Sequence, residues 1–255
     1  MKRTLFFLIT IVICISTSAQ STELSAKQKE KFYPSGKIVS RYHNDWTQTY
    51  FPKRISLFMN DPLEFGDIVF LGNSLTEGGG DWSAKFGVDH VRNRGIAGDV
   101  TDGVLRRLDE IVYFKARAVF LLIGINDLSS IHHEDEGDRF KYIKVVPSTE
   151  YIGNNILKIA KAIHRKSPET KIYVQTLLPS RREYMKEDIL EVNEWIRSYE
   201  SKGYYEVIDL FAQFVDENGD MQEDLTTDGI HLTEKGYELW VKIEKPVVEG
   251  LVAQE

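Results

Sequence analysis

The chain has 255 residues, of which 42% are hydrophobic and 28% charged, and its formal net charge is −7. Length and apolar content suit one ordinary globular domain with a sizeable core. The acidic, unpatterned charge argues against nucleic acid or an anionic membrane surface as a main partner.

In chain order, the first feature is a leader. Lys2 and Arg3 precede an apolar run from Leu5 to Ile15, followed by the small and polar "STSAQS". This is the layout of a secretory signal peptide, with the cut placed after Ala19, so that residues 1–19 are removed and the product is periplasmic or extracellular. The run is too short to span a bilayer well, which disfavours an uncleaved anchor, and bulky Ile13 disfavours a lipid-attached Cys14. Losing Lys2 and Arg3 takes the charge from −7 to −9. Cys14 is the single cysteine and leaves with the leader, so the mature chain has no disulfide, thiol nucleophile or thiolate metal site.

Residues 20–60 read as an N-terminal leader and a short helix, and residues 61–255 as the main domain. Residues 20–35 are polar and predicted to be loose. "PKRISLFM" predicts a short helix starting on Pro52. From there strand-like runs ("DIVFL", "HVRNRG", "AVFLLIG", "KIYVQTLL", "YYEVIDL") alternate with helix-period segments. Apolar residues recur at helical spacing over Thr101 to Lys115, Ile152 to His164, Glu187 to Tyr199 and Thr233 to Val248. Strand–helix alternation implies right-handed crossovers and a mainly parallel sheet with helices on both faces, an α/β fold. In such sheets ligands bind beyond the carboxyl ends of the strands.

Four blocks near those ends carry chemistry: "GNSL" (72–75), "RGIAGD" (94–99), "GIND" (124–127) and "DGIH" (228–231). A serine hydroxyl needs a base to become a nucleophile, and histidine serves near neutral pH. Histidine in turn needs a carboxylate on its other nitrogen, and Asp228 and His231 are spaced to pair around a tight turn. Attack on an ester builds an oxyanion, for which a glycine N–H and an asparagine amide are suitable neutral donors. Taken singly, each residue has a plainer reading. Ser74 would cap a helix, Gly98 and Asn126 would form turns, and Asp228 and His231 would sit in a surface turn or cap the following helix. Asp127 reads as structural, capping the loop that follows it.

The four blocks, in this order, resemble the SGNH subgroup of the GDSL hydrolases, and the likeness runs from about Asp67 to the chain end. The resemblance implies a three-layer, flavodoxin-like fold with a mainly parallel five-stranded sheet. It also implies Ser74 as nucleophile, His231 as general base and Asp228 as the residue orienting it. The oxyanion donors it implies are the N–H of Ser74, the N–H of Gly98 and the amide of Asn126. Asn73 stands where the signature has aspartate. "FLGNSLTEGG", "NRGIAGD" and "LIGIND" look most like single-domain acetylhydrolases related to platelet-activating-factor acetylhydrolase. The expectation is therefore a cofactor-independent esterase for short acyl esters on a small-molecule or carbohydrate alcohol. Its rivals are a lysophospholipase or thioesterase for longer chains and a silent carbohydrate-binding domain.

Other motifs read as structural. "IHHEDEGDRF" (131–140) holds several metal-ligating side chain types but no matching pair elsewhere, and reads as a solvated loop on the rim of the site. "DENGD" (216–220) lacks the turn glycine and the bidentate glutamate of a calcium loop. The absence of a Gly-x-Ser-x-Gly elbow argues against an α/β-hydrolase fold. Trp82 is open to two readings, a wall of the acyl pocket or plain packing.

Overall fold

The computed structural model describes residues 24–253 except Ser35, Lys37, Ile38 and Asp138. The expected signal peptide lies outside the described residues. In chain order come α1 (Ala26–Phe32), α2 (Asp45–Asn60), β1 (Ile68–Gly72), α3 (Ser74–Gly78), α4 (Trp82–Phe86) and β2 (Val91–Gly95). Then follow α5 (Thr101–Leu105), α6 (Asp109–Tyr113), β3 (Ala118–Leu122), α7 (Ile125–Ile131), α8 (Thr149–Lys166) and β4 (Lys171–Gln175). The chain closes with α9 (Lys186–Glu200), β5 (Glu206–Ile208), α10 (Phe211–Phe214) and α11 (Glu234–Val252).

The strands form one five-stranded sheet of order β2-β1-β3-β4-β5, and every pairing is parallel. β1 and β3 are buried at all five positions, which is why their sequences are unbroken apolar runs. Phe70, Phe120 and Tyr173 stack across β1, β3 and β4 on one face, at centroid separations of 4.8 and 4.9 Å. On the same face Phe70 stacks on Trp82, which also meets Phe86, Tyr237 and Trp240. Trp82 is fully buried and donates its indole N–H to the Thr76 carbonyl. Of its two readings, packing is the one realised.

Three expectations about elements are corrected. The polar 20–35 stretch carries α1, with Phe32 and Tyr33 buried in the main core. The second helix begins at Asp45, not Pro52, because the Asn44 side chain accepts the Thr47 N–H at 2.7 Å and caps it there. Its buried stripe is Thr47, Phe51, Ile55 and Phe58; Pro52 lies on the exposed side, where the carbonyl one turn earlier, deprived of its N–H donor, is open to solvent. The Thr101–Lys115 period is two short helices, since the chain turns at Arg106–Leu108 to send Arg107 inward.

Candidate active site

β1 ends at Gly72 and α3 begins at Ser74, so the serine stands at the carboxyl edge of the sheet's second strand. The Asn73 Oδ1 accepts the Leu75 N–H at 3.0 Å, which fixes this turn as an aspartate would. The buried Asn73 Nδ2 makes no hydrogen bond to another protein group. Ser74 and Asn126 are partly exposed although the chain neighbours of each are buried, and Gly98 is partly exposed beside them.

The turn between Thr226 and Leu232 is closed by an antiparallel bridge between those two residues. Within it, one Asp228 oxygen accepts the backbone N–H groups of Ile230 and His231, at 3.0 and 2.8 Å. The other oxygen lies 2.8 Å from His231 Nδ1. His231 Nε2 in turn lies 3.0 Å from Ser74 Oγ, across 157 residues of chain. With Nδ1 donating to the carboxylate, Nε2 keeps its lone pair for the serine hydroxyl. Burial pushes the Asp228 carboxyl up, but the bonds from His231 and Ile230 outweigh it and leave it below the ordinary carboxylate value. Both partners are about half exposed, at 48% and 49%. The arrangement is one that can move a proton from Ser74 Oγ to His231.

Gly98 has φ +78°, and a side chain there would begin 2.0 Å from Thr47 Oγ1. Only glycine fits both the left-handed backbone and the approach of α2. Asn126 donates its amide to the Asp99 carbonyl at 2.9 Å and keeps a second N–H. Asp99 is the hub beneath these loops. Its carboxylate lies 2.8 Å from His43 Nε2 and 2.9 Å from Arg107 Nε. Arg107 also donates to the carbonyls of Arg94 and Gly72, at 2.7 and 2.9 Å, so one buried guanidinium ties together the ends of β1 and β2. Gly103 is required here, because a Cβ would lie 1.9 Å from the Asp99 carboxylate.

Sequence reasoning missed His43, Thr47, Glu77 and Arg107, which support the site from outside its motifs. None carries a local signature, because their partners lie elsewhere in the chain. Asp127 is structural, but it braces a different segment from the one expected. Its carboxylate accepts the N–H and hydroxyl of Thr101 at the start of α5, the hydroxyl at 2.6 Å. Burial pushes this carboxyl up to about 7, against the lowering effect of the Thr101 bonds.

The loop after α7 is tied down rather than simply solvated. His132 bridges Asp135 and Asp188, and Glu136 pairs with Arg182 at 2.6 Å. Among the described residues no group of three or more His, Cys, Asp or Glu is placed to hold a metal. Beneath the serine's turn, Asn73, Leu75, Leu122, Ile125, Leu177 and Ile230 are among the residues enclosing a crevice with room for little more than a single water, which neither Ser74 nor His231 lines.

The sequence model of the GDSL-like lipase/acylhydrolase family matches residues 70–239. This chain belongs to that family. It is thus a carboxylic ester hydrolase by family. Platelet-activating factor acetylhydrolase IB subunit alpha2 of Homo sapiens is 27% identical over 191 residues, covering 72% of this chain and 75% of the relative. The alpha1 subunit of Rattus norvegicus is 25% identical, over 74% of this chain and 78% of its own. A solved structure from Streptococcus pneumoniae, described as a platelet activating factor protein, superposes with TM-score 0.64 at 26% identity, over 80% of this chain and 94% of that one. The GDSL-like lipase of Bacteroides thetaiotaomicron shares the fold, with TM-score 0.63 at 21% identity over 80% and 97% of the two chains.

Proposed function

We propose that this GDSL-family hydrolase is an exported serine esterase that removes acetyl or other short acyl groups from a carbohydrate alcohol. The observation that carries the catalytic part is the hydrogen-bonded row Ser74–His231–Asp228, with its distances of 3.0 and 2.8 Å. Ser74 Oγ attacks the ester carbonyl as His231 Nε2 takes its proton. The charge developing on the carbonyl oxygen is met by the N–H groups of Ser74 and Gly98 and the free N–H of Asn126. His231 then protonates the departing alcohol, leaving an acyl group on Ser74. Water then attacks the acyl carbon while giving a proton to His231, and His231 passes that proton to Ser74 Oγ as the acyl–Oγ bond breaks, releasing the acid and the free serine. Asp228 stays charged throughout and holds the imidazolium. No metal or cofactor is needed for any of these steps.

Support for a short acyl group is the charged rather than apolar character of the loop 131–140 that follows Asn126, which makes a poor lid for a long hydrocarbon chain. The relatives' name, acetylhydrolase, points the same way. Support for export is the composition of residues 1–19, and an exported enzyme meets acetylated glycans. Among the described residues no helix is long and apolar enough to cross a membrane.

A p-nitrophenyl ester series from two to twelve carbons tests the acyl preference. Each methylene buried in a long apolar slot contributes about 0.8 kcal/mol, so a lipase-like enzyme would climb steeply along the series. The expected result is a maximum of kcat/KM at two to four carbons. A maximum at eight or beyond would replace this reading with the lysophospholipase one.

A further inference from the structure

The opening turn of α2 carries an aromatic pair on either side of Thr47, the residue that packs on Gly98. Thr47 lies against Gly98, its hydroxyl donating to the Gly98 carbonyl at 3.3 Å. Flanking Thr47, Trp46 and Tyr50 sit one turn apart and stack, with ring centroids 4.8 Å apart and planes 14° off parallel. Tyr50 is fixed from below. Its hydroxyl donates to the Glu77 carboxylate, and Glu77 accepts the Ala97 N–H at 2.6 Å. Glu77 is in α3, three residues after Ser74, and Ala97 immediately precedes Gly98. The pair is thus bolted to both the nucleophile helix and the oxyanion loop.

Trp46 is 44% exposed and takes no part in the hydrophobic core. One indole face covers Tyr50, and the exposed area is rigidly backed. A large aromatic ring held rigid in this way, one residue from the contact with the Gly98 loop, offers a preformed stacking surface. The shape of the surface selects the ligand. An acyl chain would seek an enclosed slot, and a quaternary ammonium would seek several rings around it. A single flat face suits a ring that shows C–H bonds on one side and hydroxyls around its edge. The exposed Asp45 and Thr49 on the same turn supply polar partners for such an edge. We infer that Trp46, backed by Tyr50, is the stacking platform for the pyranose ring that carries the ester, and so sets the preference for the alcohol. This rests on the carbohydrate-ester reading above.

The test compares kcat/KM on O-acetylated xylo-, manno- and gluco-oligosaccharides with kcat/KM on p-nitrophenyl acetate, which has no sugar. Trp46→Ala should lower the saccharide-to-aryl ratio about tenfold, through KM rather than kcat. Trp46→Phe should recover most of the loss. Leu57→Ala, another exposed apolar position of α2, serves as the control and should leave the ratio in place. A ratio unmoved by Trp46→Ala overturns the platform while the carbohydrate reading stands. A parent enzyme that cleaves p-nitrophenyl acetate but none of the saccharides overturns the carbohydrate reading itself, and the platform with it.

Discussion

Replacing Gly98 with alanine should damage both stability and turnover, and the size of the effect can be worked from its surroundings. At φ +78° an L side chain costs about 1–2 kcal/mol. The new methyl would also start 2.0 Å from Thr47 Oγ1, 3.1 Å from its Cβ and 3.2 Å from its Cγ2, well inside ordinary contact. Thr47 is fully buried and has nowhere to retreat, so overpacking adds roughly 1–3 kcal/mol. Together these come to about 2–5 kcal/mol, or a fall in melting temperature of roughly 4–20 °C for a chain of this size. Relief comes by moving the Gly98 loop, which carries the proposed oxyanion N–H. Losing one such donor costs roughly a hundred- to a thousandfold in kcat. The assay is thermal unfolding together with p-nitrophenyl acetate turnover, run as a double-mutant cycle with Thr47→Ala. Thr47→Ala removes the hydroxyl and methyl that clash, so the double variant should recover the packing part and keep the backbone part. Parental stability and kcat in Gly98→Ala, or a cycle with no coupling, would show that neither the backbone nor Thr47 dictates glycine at position 98.

Two further outcomes follow from individual side chains. Asn126→Ala should lower kcat by about a hundredfold or more with KM little changed, since the amide is proposed to bind charge that exists only in the transition state; a loss confined to KM would make Asn126 a substrate-binding residue instead. Glu244 is fully buried on α11, pushed up to about 8 by that burial, and accepts the Gln175 amide at 2.5 Å. The folded protein therefore keeps this proton where the unfolded chain, with an ordinary glutamate value, has lost it. Stability should fall as pH rises between about 4.5 and 8. Glu244→Gln should remove that slope, so that the variant gains more in melting temperature over the parent at pH 8.5 than at pH 5. Equal differences at both pH values would contradict it.

Much of this architecture can be read from the chain. β1 and β3 announce themselves because strands covered on both faces need apolar side chains at every position. Ser74 and Asn126 are legible because each closely follows such a strand as a polar residue between buried neighbours; Gly98 is legible from its motif alone, while its packing reason, the approach of Thr47, is not. The misses at Arg107, His43 and Thr47 share one cause, which is partners distant in sequence. The α5–α6 break is invisible because the turn serves Arg107, whose acceptors on Arg94 and Gly72 lie 13 and 35 residues away. The start of α2 was hidden because Pro52 is the louder local signal, whereas the cap is an asparagine eight positions earlier. His43 and Thr47 came from a stretch with no motif, yet they buttress Asp99 and Gly98. The platform residues Trp46 and Tyr50 lie in that same stretch.

Ser74 is proposed to form the acyl-enzyme, with His231 as its base. A fluorophosphonate reports this directly, because the activated serine oxygen bonds to phosphorus and expels fluoride. Peptide mass spectrometry after labelling should find one adduct, on the peptide containing Ser74. It should be absent from Ser74→Ala and formed at least a hundredfold more slowly in His231→Ala, about 2.7 kcal/mol in the barrier. An adduct on another residue, or full esterase activity in Ser74→Ala, would contradict the account.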